Sequence, residues 1–115
     1  MKYVVLFALV ALLAAPVASA RTTTTTLTGT VGPGFTITLK KGTVKVTKLK
    51  AGTYLFKISD KSTIHNFHLF GPGVNKLTTV GGKGTFTWRL KLKAGKYTYQ
   101  CDPHKSFMKG TFTVS

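Results

Sequence analysis

Residues 84–101 read Gly84-Thr85-Phe86-Thr87-Trp88-Arg89-Leu90-Lys91-Leu92-Lys93-Ala94-Gly95-Lys96-Tyr97-Thr98-Tyr99-Gln100-Cys101. Phe86, Trp88, Leu90 and Leu92 fall on one side of a period-two ladder, with Thr87, Arg89 and Lys91 on the other. Residues two apart in an extended chain point the same way, so the pattern predicts a strand with one apolar face. Ala94-Gly95 turns the chain, and Tyr97, Tyr99 and Cys101 share the inward face of the next strand.

The same grammar extends both ways. Upstream, Phe35 to Lys40 alternates after a Gly32-Pro33-Gly34 turn, Val44 and Val46 alternate after Lys41-Gly42, and Tyr54, Phe56 and Ile58 share a face after Ala51-Gly52. Asp60-Lys61-Ser62 breaks that run. Ile64 to Phe70 reads as the next strand, ended by Gly71-Pro72-Gly73, and 74–83 as a loop with a short strand near Thr78-Val80. Phe112 and Val114 finish the last strand. The Thr-rich stretch from Arg21 to Thr30 reads either as a ragged edge strand or as a disordered arm. Short alternating strands at close spacing with Gly/Pro turns predict an all-β, two-layer sandwich or barrel; helical periodicity is absent after residue 20. Leu49-Lys50-Ala51-Gly52-Thr53-Tyr54 is echoed by Leu92-Lys93-Ala94-Gly95-Lys96-Tyr97, although such turns also arise readily in a hairpin-rich chain.

The first twenty residues read differently. A basic start at Met1-Lys2, an apolar run from Val4 to Val17 and a small-x-small site at Ala18-Ser19-Ala20 predict an export signal, leaving one domain over residues 21–115. The run is short for a membrane span, which needs roughly 20 residues, so no span is expected in the mature chain. An exported chain with one cysteine cannot close an internal disulfide, so something must protect the thiol; a bound metal does so.

Charge narrows the function. The chain carries 17 Lys+Arg against 2 Asp+Glu, a formal net charge of +15. Such a surface calls for acidic partner proteins or an anionic surface. Asp60 and Asp102 are the only carboxylates, and they form no plausible acid–base pair of the kind glycoside hydrolysis needs. Lysines 40, 41, 45, 48 and 50 read as a solvated face, or in a functional version as a docking patch.

The chemistry concentrates in Cys101-Asp102-Pro103-His104-Lys105-Ser106-Phe107-Met108, with His65-Asn66 upstream. Two imidazoles, one thiolate and one weak thioether are the ligand set of a blue-copper centre, and the mixture suits both copper oxidation states. Zinc prefers four firm ligands in a closed site and has no redox chemistry, so the methionine argues against it. Strand parity puts His65 inward with Phe67 and Leu69, and His68 outward with Asn66 and Phe70. His65 is therefore the ligand candidate and His68 the bystander. An inward histidine by itself is more often a hydrogen-bonded core residue; the company of Cys101, His104 and Met108 is what makes it a candidate. Met108 has its own structural alternative, packing on Phe112. Trp88, Tyr97 and Tyr99 read as core.

Tyr97-x-Tyr99-x-Cys101-x-Pro103-His104 with Met108 and Gly110, preceded by His65-Asn66, resembles the cupredoxin family of plastocyanin, pseudoazurin and amicyanin. The resemblance implies a single-domain antiparallel or mixed Greek-key β-sandwich with one copper per chain. It implies His65, Cys101 and His104 as equatorial metal ligands and Met108 as the axial one. It also implies an Asn66 that tethers the ligand loops, a Pro103 that withholds an N–H from the sulfur, and His104 as the electron-transfer edge with Phe107 on its apolar rim. The spacing between His104 and Met108 lies between those of plastocyanin and amicyanin, and the acidic docking patch of some plastocyanins is missing.

The leading expectation is an exported, monomeric blue-copper carrier of one electron, periplasmic or extracellular, with no small-molecule substrate and no catalytic residues. The alternatives are a protein that stores or delivers copper, and a metal-free basic sandwich that binds an anionic polymer. An export signal points away from nucleic acid as that polymer.

Overall fold

The computed structural model describes residues 2, 8, 10–15 and 23–115. The expected cleavage site at Ala18-Ser19-Ala20 and much of the apolar run from Val4 to Val17 lie outside the described residues. Ten strands follow in chain order: β1 (Thr25–Val31), β2 (Ile37–Lys41), β3 (Val44–Lys45), β4 (Lys48–Leu49), β5 (Gly52–Asp60), β6 (His68–Gly71), β7 (Val74–Leu77), β8 (Gly84–Leu92), β9 (Gly95–Gln100) and β10 (Lys109–Val114). They form two five-stranded sheets, ordered β3-β2-β1-β5-β8 and β4-β10-β9-β6-β7. Both are mixed: β1 runs parallel to β5 and β10 parallel to β4, while the other pairs are antiparallel. Leu27, Leu39, Phe56 and Ile58 of the first sheet share one buried cluster with Leu69, Tyr97, Tyr99 and Phe112 of the second.

The Thr-rich stretch from Thr25 onward is neither an edge strand nor an arm. It is the central strand of its sheet, level with β5 from Thr25–Tyr54 to Val31–Asp60. Its inward residues are Leu27, Gly29 and Val31. Gly29 concealed the pattern, because an apolar face read from side chains has a gap where the chain needs none. A Cβ there would come within 2.6 Å of the Ile58 Cδ1 atom and 2.8 Å of the Phe67 ring. The β-branched threonines between them favour the extended chain.

Other boundaries shift too. Ile64–Phe70 is not one strand: β6 begins at His68, and residues 61–67 form a loop. The strand after it is Val74–Leu77, not Thr78–Val80. Phe35 lies before β2, and its ring is exposed. Trp88 is only partly buried, because β8 is an edge strand whose inward face loses cover toward Gly84.

The echoed turns prove to be equivalent. Tyr54 donates its hydroxyl to the Lys50 carbonyl at 2.7 Å, and Tyr97 donates to the Lys93 carbonyl at 2.8 Å. Each tyrosine reaches back four residues to pin the turn that launches its strand.

These turns define two ends. Loops 32–36, 61–67, 78–83 and 101–108 gather at one, which we call the site end. The β2–β3, β4–β5, β6–β7 and β8–β9 turns gather at the far end. Leu27→Ala, at the centre of the core, should cost about 2–5 kcal/mol in denaturant unfolding. Val44→Ala, at an exposed position, should stay within about 0.5 kcal/mol. Near-equal values for the two would contradict the central placement of β1.

Candidate metal centre

The alternation of β9 carries Cys101 inward to full burial. A 3-10 turn, Asp102–His104, then reverses the chain, with Pro103 in its first turn where a missing N–H costs nothing. Main-chain bonds close the loop. His104 N donates to Cys101 O at 3.1 Å, Met108 N to His104 O at 2.9 Å, and Cys101 N to Met108 O at 3.0 Å. Met108 is 1% exposed, at the foot of the same loop.

His65 is set by a second, buried network. Asp60 accepts from the Ser62 N–H at 3.2 Å and from the Thr78 hydroxyl at 2.7 Å. Thr78 Oγ1 accepts from the Phe67 N–H at 2.8 Å, and the Thr78 N–H donates to the Phe67 carbonyl at 3.0 Å. Asp60, Ser62, Thr78 and the Phe67 backbone are thereby partnered inside the protein, as burial requires. In the sequence Asp60 marked only the end of a run; its partner Thr78 lies eighteen residues away. A turn residue and a distant threonine give no shared signal.

The two loops bring three lone-pair atoms together. His65 Nδ1 lies 3.1 Å from His104 Nδ1, and Cys101 Sγ lies 3.6 Å from the first and 3.5 Å from the second. The centre of that triangle is about 2 Å from each atom, close to the ~2.0–2.3 Å that imidazole and thiolate make to a metal of this size. Two imidazole nitrogens pointed at each other beside a buried sulfur make poor hydrogen-bond partners and a good soft-metal site. The other nitrogen of His65, Nε2, is buried without a partner, so the ring's polar contacts are all on the side of the triangle. Phe35 closes the rim edge-on, its ring 5.1 Å from that of His65 and 5.2 Å from that of His104. The sequence placed Phe35 on a strand and missed this position.

A polar clasp ties the loops outside the triangle. Asp102 N donates to Asn66 Oδ1 at 2.7 Å, and Asn66 Nδ2 donates to Asp102 Oδ2 at 2.9 Å. Gln100 Nε2 donates to the same carboxylate at 2.9 Å, and His68 Nδ1 lies 2.9 Å from it. His68 Nε2 meets Asn75 Oδ1 at 2.6 Å. His68 is thus outside the triangle, but it buttresses Asp102. Partial burial acts to raise the Asp102 carboxyl; the bonds from Gln100, Asn66 and His68 and the charge of His68 outweigh it and hold the group below its ordinary value.

Asn66→Ala removes both arms of the clasp and should weaken metal binding about 10–100-fold in a chelator competition. His68→Ala should leave the position of the visible absorption band unchanged, since no ring nitrogen of His68 joins the triangle. A lowered Asp102 pKa stabilises the fold above the unfolded carboxylate value and loses that contribution as pH falls through the folded one. Asp102→Asn should therefore flatten the acid limb of the metal-free protein's Tm profile, from the ordinary carboxylate range downward.

The comparisons agree with this geometry. The model for "Copper binding proteins, plastocyanin/azurin family" matches residues 17–115. Among solved structures, reduced rusticyanin shares 18% identity with a TM-score of 0.58, over 84% of this chain and 82% of that one. A structure of rusticyanin variants shares 20% identity with a TM-score of 0.59, over 84% and 80%. Rusticyanin from Thiobacillus ferrooxidans shares 20% identity with a TM-score of 0.50, over 78% and 76%. At such identities the structural likeness speaks for the fold. No curated protein sequence matches. With the family model spanning both loops and all ten strands, the chain belongs to the plastocyanin/azurin family of copper-binding proteins, and copper is its metal.

Proposed function

We propose that this chain is an exported blue-copper protein that carries one electron, with His65, Cys101 and His104 as equatorial ligands and Met108 as the axial one. The observation that carries the reading is the triangle of two Nδ1 atoms and one Sγ, held by two loops that Asn66 and Asp102 clasp together. Bound copper supplies the Cu(I)/Cu(II) couple. The protein supplies ligands that serve both states, a thiolate and imidazoles with a soft thioether, on a frame that resists rearrangement. A carrier needs that rigidity because each ligand shift on gaining or losing an electron slows transfer. Half-buried His104 is the approach for partners, rimmed by exposed Phe35 and Phe107. Residues 1–20 are read as the export signal and 21–115 as the one domain, acting in the periplasm or outside the cell. The protein would turn over no substrate, and its redox partners would be acidic.

Copper titration should give an intense blue colour saturating at one ion per chain. Cys101→Ser should abolish the colour, because a hydroxyl does not replace the thiolate. Binding of Cu(I) alone, without colour, would mark the protein as a copper store or delivery protein. Met108→Leu should keep the blue band and shift the reduction potential in voltammetry; an unchanged potential would exclude Met108 as axial ligand.

A further inference from the structure

The acidic side chains of this chain are confined to one end, while lysines occur at both. Both carboxylates, Asp60 and Asp102, are at the site end, bonded into the loops described above. Lys40, Lys41, Lys45, Lys48, Lys50 and Lys96 are exposed on the half of the sandwich that carries the far-end turns, which has no acidic side chain. The register is explicit. Lys48 and Lys96 flank Thr113 on either side in the second sheet. Lys40 sits directly across from Lys45 in the β2–β3 hairpin. Like charges directly opposite destabilise a sheet. Among the described residues the one ion pair is His68 with Asp102, so no salt bridge relieves the lysines. An external anion would.

The surface is not purely charged. Val44, 68% exposed, stands at the tip of the hairpin beside Lys45. Next to it a groove of about 400 Å³ is lined by Lys41, Val44, Lys45, Val46, Lys48 and Leu49. An apolar tip ringed by lysines matches a bilayer interface: the apolar part dips below the phosphates, while lysine stems run along apolar surface with their ammonium groups at the headgroups. A soluble polyanion would leave Val44 and the groove's apolar wall unused. The chain also enters the domain here. Thr25, the first residue of β1, is level with Tyr54 near the start of β5.

We propose that the far end docks on an anionic lipid surface and holds the end bearing His65, Cys101 and His104 toward the aqueous side. The lipid-binding face stands independently of the copper assignment.

The test uses the copper-loaded protein as isolated, with vesicles of phosphatidylcholine alone or with about one-third phosphatidylglycerol. Cosedimentation should show binding to the anionic vesicles only, falling steeply as salt rises. Each surface lysine is worth about fivefold in affinity for an anionic membrane, so the combined variant Lys40→Glu, Lys45→Glu, Lys48→Glu should bind about 100-fold more weakly or worse. The charge-matched variant Lys57→Glu, Lys76→Glu, Lys83→Glu should stay within about threefold of the parent. Should the first variant fail to fold, glutamine at the same three positions serves, with an expected loss of about 100-fold. Absence of binding to anionic vesicles, equal losses in the two variants, or tighter binding to soluble polyphosphate than to vesicles would each overturn the proposal. A blue protein that ignores vesicles fails here alone; a colourless one that binds them fails only as a copper carrier.

Discussion

The structure turns on holding two loops from different parts of the chain in one register. The bonds Asp102 N–Asn66 Oδ1 and Asn66 Nδ2–Asp102 Oδ2 do this directly. Without them, the Cys101–Met108 loop and the His65 loop could still fold against their own strands, yet nothing would fix the triangle between them. Hydrogen bonds to a charged group are worth more than neutral ones, and Asp102 collects donors from Asn66, Gln100 and His68. The side chains that set the metal site are thus mostly not its ligands.

Beneath the clasp the sandwich is stiffened by aromatic packing. Phe67 stacks on Tyr99 at 5.8 Å with rings nearly parallel, and Tyr97 stacks on Phe112 at 5.3 Å. Gly110 faces Tyr99 across the β9–β10 ladder, and a Cβ there would strike the tyrosine ring. The glycine lets the ring lie flat directly beneath the ligand loop. Burial raises the Tyr99 phenol above its ordinary value, with a hydrogen bond to the Leu39 backbone opposing it, so the ring stays neutral under the site. The far end is built differently, with paired tyrosine-pinned turns and lysines directly across from one another, as at Lys40 and Lys45.

Much of the site was legible in the chain. Cys101, His104 and Met108 lie within one loop, so spacing alone groups them; His65 joined them through the residue types and an inward parity. That parity rested on a strand that does not exist. His65 and Phe67 are buried because the 61–67 loop is wrapped around Asp60 and Thr78, and Asn66 is buried beside them. The structure brings His65 into the triangle, while the local structure assumed for it was wrong. Phe35, Asp102, His68 and Thr78 were not legible in their roles, since each acts through a contact with a residue remote in sequence.

By itself the sequence determined what is periodic or local: the all-β class, most turns, the inward faces of β5 and β9, the grouping of the ligand loop and the excess of lysine. Those follow from the two-residue repeat of an extended chain and from short-range turn chemistry. Only the tertiary structure decided that β1 is central and paired in parallel with β5, that Phe35 covers the histidines, and that Asp102 clasps Asn66. It alone also put both acids at one end and left the other bare. These are meetings of residues far apart in the chain. Burial and hydrogen-bond satisfaction select them only once both sheets are assembled.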